Sequence, residues 1–466
     1  MTTRALAGRG HWIEGWDPED ERFWESTGKR VARRNLIFSI LSEHVGFSVW
    51  SIWSVLVLFM SPSIGLPFTA AEKFLLVVTP NLVGAVLRLP YGAAVTRFGG
   101  RNWTIFSSAV LLVPTALAFF FVQQPGTPLW VFMLIGAAAG VGGGNFASSM
   151  TNITTFYPQR HQGWALGLNA GGGNLGVAAI QVVGLLVIAT AGNTHPSYVA
   201  AIYLPLIVVA AVCAALFMDN VDAVRVRPGA LREAAANKHT WWISFLYIGT
   251  FGSFIGYSFA FGLVLQTEFD FTPLQAASWT FLGPLMGSIA RPFGGWLSDR
   301  LGGARVTLWA FAGMSAGTGA LLFASSQGSF ALYVAAFIVL FVLTGIGNGS
   351  TYKMIPAIFA KEAEDEVTDG GEAVAAFARA RRMSGAVIGI AGAIGALGGV
   401  GINLAFRSSY GGEAANGDAA LTTFLVYYVV CGIVTWAVYL RGALKNTAAP
   451  QPLPTQQSSK AEAGRA

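Results

Sequence analysis

Apolar stretches of about twenty residues recur along almost the whole chain, and they constrain its fold more than any other feature. A segment in lipid must satisfy its own backbone hydrogen bonds, so only helices and closed barrels cross a membrane. Barrel strands would give stretches of roughly ten residues with alternating polarity, which is not the pattern here. We therefore predict an all-α membrane protein of twelve spans, at 36–60, 72–95, 103–122, 129–150, 163–190, 199–218, 240–265, 273–297, 305–326, 330–358, 384–406 and 420–441.

Composition and charge agree with this class. The chain is 54% hydrophobic and 11% charged, with a mean hydropathy of +0.56, whereas a soluble protein carries about a quarter charged residues. The net charge of +6 does not indicate a nucleic-acid partner, because Lys and Arg fall almost entirely on one side of the predicted spans, with Lys73 and Arg407 as the exceptions. The positive-inside rule makes that side cytoplasmic, with both termini there and the chain spanning the cell membrane many times.

Two stretches of sequence repeat at a fixed offset. Residues 88–100 return as 291–303, and 142–145 return as 345–348, in both cases 203 positions later. Two related six-helix halves follow, an arrangement typical of the major facilitator fold. We predict a cytoplasmic lead (1–35), a first half (36–218), a cytoplasmic linker (219–239), a second half (240–441) and a disordered cytoplasmic tail (442–466), with an insertion at 361–383 that lengthens the offset.

One arginine inside each half forms the centre of the predicted site. Arg88 and Arg291 each lie nine residues before the charged end of a span, which is about 13 Å of helix. A guanidinium at that depth is costly and by default marks a function. Its planar fork matches a planar oxyanion and stays charged. We predict one anion held between the two arginines; the alternative is a pair of structural arginines bonded to backbone carbonyls.

Glycine-rich segments accompany the arginines at the same repeat offset. Glycine removes side chains, so that backbone and a small ion can approach, and the interleaved amides and hydroxyls supply hydrogen bonds. Helix packing alone is the alternative. The segments contain Gly142, Gly144, Asn145 and Ser148 in the first half and Gly345, Gly347, Asn348 and Ser350 in the second.

These segments resemble the paired signatures of the nitrate/nitrite porter (NarK-like) family of the major facilitator superfamily. The resemblance covers most of the chain, including residues 16–20, 33–36, 87–91, 167–174 and 247–256. It implies a transporter of nitrate and nitrite rather than an enzyme, monomeric and without cofactor or metal. It also implies that Asn174 and Tyr247 donate hydrogen bonds to the ion, that Phe146 and Phe251 lie above and below it, and that Tyr352 is a further aromatic contact.

A second motif lies at the charged end of span 8. Asp299, Arg300 and Arg305 resemble the loop signature of the superfamily, in which charged residues cap and pair with neighbouring helix ends. Thr96 replaces the aspartate in the first half. Lys353 is expected to act as a gate charge at the cytoplasmic end.

The coupling mode stays open between exchange and proton symport. No acidic residue is expected at the depth of the arginines, so an empty site would hold two unbalanced cations, which favours nitrate/nitrite exchange. Symport requires a titratable group that senses the site, and Glu43 with His44 is the candidate pair. The preferred interpretation of that pair is a polar contact with loops at the cytoplasmic side. An exporter of other small organic anions is the remaining alternative.

Overall fold

The computed structural model describes residues 11–222, 230–413 and 415–441. Within the first of these ranges, six helices are long and apolar enough to cross a membrane, and each corresponds to one predicted span. They are α1 (Glu21–Phe59), α2 (Ala70–Phe98), α3 (Gly100–Phe121), α4 (Leu129–Phe156), α5 (Gln159–Ala191) and α6 (Ser197–Phe217).

The second half contributes the other six helices. They are α7 (Lys238–Glu268), α8 (Pro273–Thr280 followed by Leu282–Leu301), α9 (Gly303–Ser326), α10 (Phe330–Thr368), α11 (Ala373–Tyr410) and α12 (Asp418–Leu440). The helix α8 is interrupted at Phe281 and carries Arg291, Asp299 and Arg300, so it is the least apolar of the set. The predicted twelve-helix, two-half fold is confirmed.

The two halves repeat in detail at the loops that follow α2 and α8. Gly99 and Gly302, 203 positions apart, have φ of 86° and 87° and each ends one helix while starting the next. Only glycine adopts this backbone without strain. The duplicated sequence therefore encodes the same tight connection in both halves.

The segment 361–383 lengthens two helices instead of forming a separate loop. α10 continues to Thr368 and α11 begins at Ala373, so both run past the predicted spans. Alanine and charged side chains favour helix in water, whereas the apolar pattern marks only the part inside the membrane. Arg379 of this extension pairs at 2.6 Å with Glu233 of the linker helix Ala230–Ala236.

The lead before α1 is folded against the first half. Trp12–Ile13 pairs in parallel with Asn220–Val221, the one short strand pairing in the described ranges. Trp16 and Trp24 are buried, and the Trp16 ring contacts Phe156 at 5.3 Å. The lead therefore covers the end of α4 instead of extending into water.

The linker is divided between the two halves. Asp219 follows α6 and accepts hydrogen bonds from Arg34 at 2.5 Å and from Asn35 at 2.8 Å, which ties the end of α6 to α1. The linker helix Ala230–Ala236 packs instead on α11. Residues 223–229 between these parts, and the tail at 442–466, lie outside the described residues.

We call the side of the molecule that carries Gly99, Gly302 and the linker the basic face. At the other side the halves are in contact: Phe74 of α2 stacks on Tyr410 of α11 at 5.4 Å, and Gln181 of α5 donates to the Ser258 carbonyl of α7 at 2.8 Å.

Near the basic face, two helices carry glycines with space beside them. A methyl group on Gly163 of α5 would lie 3.8 Å from Lys353 of α10, so α5 and the second half approach each other there. A methyl group on Gly167 of α5, or on Gly389 of α11, would meet no atom within 4 Å. Larger side chains are therefore accommodated at Gly167 and Gly389.

Candidate functional site

Arg88 reaches from α2 across the seam between the halves. Its side chain is 1% exposed, and its Nη1 donates to the Gly392 carbonyl of α11 at 2.8 Å. The guanidinium carbon lies 4.6 Å from the ring centroid of Phe146 and 4.7 Å from that of Phe251. One carbonyl bond thus agrees with the structural alternative, but it uses only one of the three nitrogens.

Arg291 approaches the same place from α8. It is 6% exposed, and its Nη2 donates to the Tyr247 hydroxyl at 3.4 Å. Its guanidinium carbon lies 5.5 Å from the Tyr352 ring and 5.9 Å from the Phe146 ring. Both arginines therefore lie within 6 Å of one aromatic ring, so the repeated arginines meet between the halves.

The two guanidiniums keep buried donors without a partner among the described residues. These are Nε and Nη2 of Arg88 and Nη1 of Arg291. A buried donor without a partner costs about 1–3 kcal/mol, and more when it is charged. An anion placed between the arginines would satisfy these donors with charge-assisted bonds, so the arrangement fits a small oxyanion.

The aromatic residues carried over from the family resemblance lie around the two arginines. Tyr247 stacks on Phe251 at 5.3 Å, and Tyr352 lies 5.5 Å from Tyr247. Phe146 and Phe251 are 6.1 Å apart, but the group that contacts both rings in this structure is the Arg88 guanidinium. A planar ion between the two rings stays a prediction.

Asn174 stays a predicted site residue, and a local change in helix geometry lies beside Tyr247. Asn174 is buried in α5, and neither polar atom of its amide has a partner within the described part of the chain. A π-helical turn at Ile248–Gly252 interrupts α7 directly after Tyr247. Such turns are frequent at functional sites, and the hydrophobic pattern of α7 gave no sign of this one.

Glu43 corrects two of the expectations. It is fully buried and interacts electrostatically with both Arg88 and Arg291. An acidic residue therefore does lie in the field of the arginines. Its hydrogen-bond partner is a helical side chain instead of a loop: Asn169 of α5 donates to Oε2 at 2.7 Å, and the same amide nitrogen donates to the Ser149 hydroxyl of α4.

His44 has a different environment from its neighbour. Its Nδ1 lies 3.0 Å from the Gly172 carbonyl of α5. This bond joins α1 to α5 inside the first half, and the structure gives no contact between His44 and the arginines. The two residues of the predicted pair therefore have different partners: Glu43 interacts with the arginines, whereas His44 bonds to a neighbouring helix of the first half.

The signature glycines lie at helix crossings. A methyl group on Gly142 would approach the Gly46 carbonyl to 2.2 Å, and one on Gly345 would approach the Gly287 carbonyl to 2.1 Å. The other two signature glycines are also closely packed, Gly144 against the Tyr91 ring and Gly347 against Thr250. The hydroxyls of Ser148 and Ser350 donate to carbonyls one turn earlier in their own helices. The side chains of Asn145 and Asn348 are buried without a partner among the described residues. Close helix approach accounts for the glycines; contact with the ion stays a prediction.

The loop motif lies at the basic face, away from the arginines. Asp299 accepts two hydrogen bonds from Lys353, at 2.9 and 3.0 Å, which links α8 to α10 within the second half. Arg300 lies 4.2 Å above the Trp296 ring, and Arg305 is exposed at the start of α9. Asp299 thus links two helices, and the pairing of Arg300 and Arg305 with neighbouring helix ends stays a prediction.

Sequence reasoning missed Asn169, Ser149 and Gly392. Asn169 lies inside the glycine-rich stretch 167–171, but nothing in the sequence tells that its amide reaches Glu43. Gly392 contributes a backbone carbonyl, which no side-chain pattern reveals.

Comparisons with known proteins agree with the fold. The chain matches the Major Facilitator Superfamily profile over residues 44–402. It is 40% identical to the nitrate/nitrite transporter NarU of Salmonella typhimurium, over 92% of this chain and 96% of that protein. It is 34% identical to the probable nitrate/nitrite antiporter NarK2 of Thermus thermophilus, over 80% and 88%.

A solved structure gives the same fold at low sequence identity. The D-xylose-proton symporter superposes with a TM-score of 0.63 at 13% identity, covering 87% of this chain and 97% of that one. Together with the profile match and the relatives, this likeness leads to one conclusion: the chain belongs to the major facilitator superfamily and, within it, to the nitrate/nitrite porters.

Proposed function

We propose that this chain moves nitrate and nitrite across the cell membrane by alternating access, with nitrate entry coupled to a proton carried on Glu43. The observation that carries the proposal is the meeting of Arg88 and Arg291 between the halves, each with unpartnered donors, in electrostatic contact with a buried carboxyl group. Relatives at 40% and 34% identity are named for nitrate and nitrite. The basic face is then cytoplasmic, and a single chain without cofactor suffices.

The anion would be held by both arginines, with Asn174 and Tyr247 as further donors and Phe146, Phe251 and Tyr352 as the walls. Nitrate and nitrite are planar, and a guanidinium fork donates two parallel bonds to such an ion. Each half supplies one arginine, so binding of the ion joins the halves. This favours closure around the loaded site over closure around an empty one.

Charge balance is the argument for a proton. With Glu43 ionised, the two arginines and the carboxylate leave the empty site with one net positive charge. Nitrate together with a proton on Glu43 restores the same net charge. The empty and loaded carriers then carry equal charge through the membrane, and a bound anion favours the protonated carboxyl because it repels the ionised one.

Nitrate/nitrite exchange is the second candidate. If Glu43 stays ionised throughout, one monovalent anion neutralises the site, and the empty carrier keeps an uncompensated charge that hinders its return. One relative carries the name antiporter. Exchange therefore differs from symport in one property, the need for an anion on the far side.

Purified protein in proteoliposomes separates the two modes. With an acidic exterior and no internal anion, symport predicts nitrate accumulation that the Glu43→Gln variant loses while it keeps exchange of internal nitrite for external nitrate. Glu72→Gln, at an exposed helix cap, is the matched control and should behave as the wild type. Uptake that requires internal nitrite and ignores the pH gradient would exclude the proton.

A further inference from the structure

A chain of polar side chains runs from Glu43 into the first half, between α1, α4 and α5. Asn169 donates from one amide nitrogen to Glu43 Oε2 at 2.7 Å and to Ser149 Oγ at 2.5 Å. Ser149 Oγ and Glu43 Oε2 therefore share one donor and lie side by side, and Ser39 Oγ lies 2.9 Å from Ser149 Oγ. All four side chains are buried, so this is an ordered array and not a surface contact.

The array has the donor order that a proton relay needs. Ser149 accepts from Asn169, so its own proton is free to point at the carboxylate and its second lone pair can accept from Ser39. When Glu43 is protonated, the direction reverses: the carboxyl donates to Ser149, and Ser149 donates to Ser39. A hydroxyl serves in both senses, whereas the amide of Asn169 only donates here and holds the carboxyl group in position.

The direction of the array leads towards the basic face. Ser39 lies one helical turn before Glu43 on α1, and Asn35 lies one turn before Ser39 on the same face of that helix. Asn35 bonds to Asp219, and this contact joins α1 to the end of α6 at the basic face.

The anion cavity is a poor route for the same proton. The charged and titratable groups that contact Glu43 electrostatically from other helices are Arg88 of α2, Arg291 of α8 and Tyr352 of α10. Two fixed cations repel a hydronium ion that enters between the halves. The flank formed by Ser149 and Asn169 presents hydroxyl and amide groups instead of cations.

We propose that Ser149 and Ser39 form a relay by which Glu43 exchanges its proton with the basic face, on a path separate from that of the anion. The inference rests on the proposed proton coupling. On protonation, the Ser149 hydroxyl proton moves to the Glu43 carboxylate, the Ser39 proton moves to Ser149, and a hydronium ion from the basic face restores the proton of Ser39 and leaves as water. Asn169 is the positioning residue.

Ser149→Ala and Ser39→Ala test the relay in proteoliposomes. Each should slow pH-driven nitrate uptake by about tenfold or more, while nitrate/nitrite exchange at equal pH and nitrate affinity keep their wild-type values. Ser149→Thr, which retains the hydroxyl, should restore the pH-driven rate. Ser42→Ala is the matched control, since Ser42 is equally buried on α1 beside Glu43 but bonds to no described group.

Each outcome has one meaning. Normal pH-driven uptake in both alanine variants, with loss in Glu43→Gln, would overturn the relay and leave the proton on Glu43. A parallel fall of exchange would assign the serines to packing and also overturn it. Normal pH-driven uptake in Glu43→Gln would instead remove the coupling on which the relay rests.

Discussion

Two guanidiniums in one buried cavity repel each other, and Glu43 offsets part of that repulsion. At about 6 Å and an effective dielectric constant of about 20, two unit charges interact by about 3 kcal/mol. The attraction of the carboxylate, or of a bound anion, for each arginine is thus similar in size to the repulsion between the two arginines. Binding the anion and protonating Glu43 support each other by the same free energy, whichever occurs first.

The fork of each arginine, and not only its charge, is expected to determine affinity. Arg291→Lys keeps the charge but loses the planar set of donors, and charged hydrogen bonds contribute about 1.5–3 kcal/mol each. We expect nitrate binding to weaken by about 10- to 100-fold, measured by isothermal titration of the purified protein. Arg300→Lys, on the surface above Trp296, is the control and should stay within about twofold.

At this scale the sequence predicts the arginine pair but not its counter-charge. The repeat brings Arg88 and Arg291 into register, and their meeting with Phe146 follows from two related halves. The depth of Glu43 is not evident from the sequence, because the basic residues Arg33 and Arg34 shortly before it are typical of a membrane edge. The folded lead buries that end of α1, so the helix begins at Glu21.

Among the helices, α5 and α11 carry glycines with open space beside them near the basic face. Gly389 faces open space in this structure, so a larger side chain is accommodated here but would obstruct closure of the basic face. Gly389→Leu should therefore leave nitrate binding within about twofold and lower transport by about tenfold or more, since each 1.4 kcal/mol added to the closed state costs a factor of ten. Counterflow and titration on the same preparation give both values.

Gly319→Leu is the control for this element. A methyl group on Gly319 of α9 would also meet no atom within 4 Å, but α9 packs chiefly on α8, α10 and α12 of its own half. Transport at the wild-type rate in both leucine variants would contradict a closing motion of α11.

The lead contributes to stability through its tryptophans. Trp16 packs edge-on against Phe23 and Phe156 and donates to the Thr155 carbonyl at 3.1 Å. Trp16→Ala should destabilise the first half by about 3–5 kcal/mol, seen as a lower unfolding temperature in detergent. Trp130→Ala, at an exposed position, should leave that temperature unchanged; equal temperatures for both variants would mean that the lead does not hold the fold.

Helix ends were the least predictable part of the elements. Hydrophobicity identifies the membrane-embedded length, but α10 and α11 continue as polar helices through 361–383 because local helix propensity and the Arg379–Glu233 pair stabilise them outside lipid. The π-helical turn after Tyr247 has no hydropathy signal either.

For the whole molecule, the halves touch on the side opposite the basic face. The Phe74–Tyr410 stack and the Gln181–Ser258 bond hold the closed side, while Arg88 alone among the site residues described above bonds directly across the seam, to Gly392. An anion shared by Arg88 and Arg291 would add a second link at mid-depth. The transport cycle then depends on whether one ion engages both halves together.

A density map of the protein with saturating nitrate tests that claim most directly. The account predicts one planar ion between Arg88 and Arg291, with the free nitrogens of both guanidiniums donating to it. Nitrate bound to residues of one half only, or two ions each on a separate arginine, would contradict it.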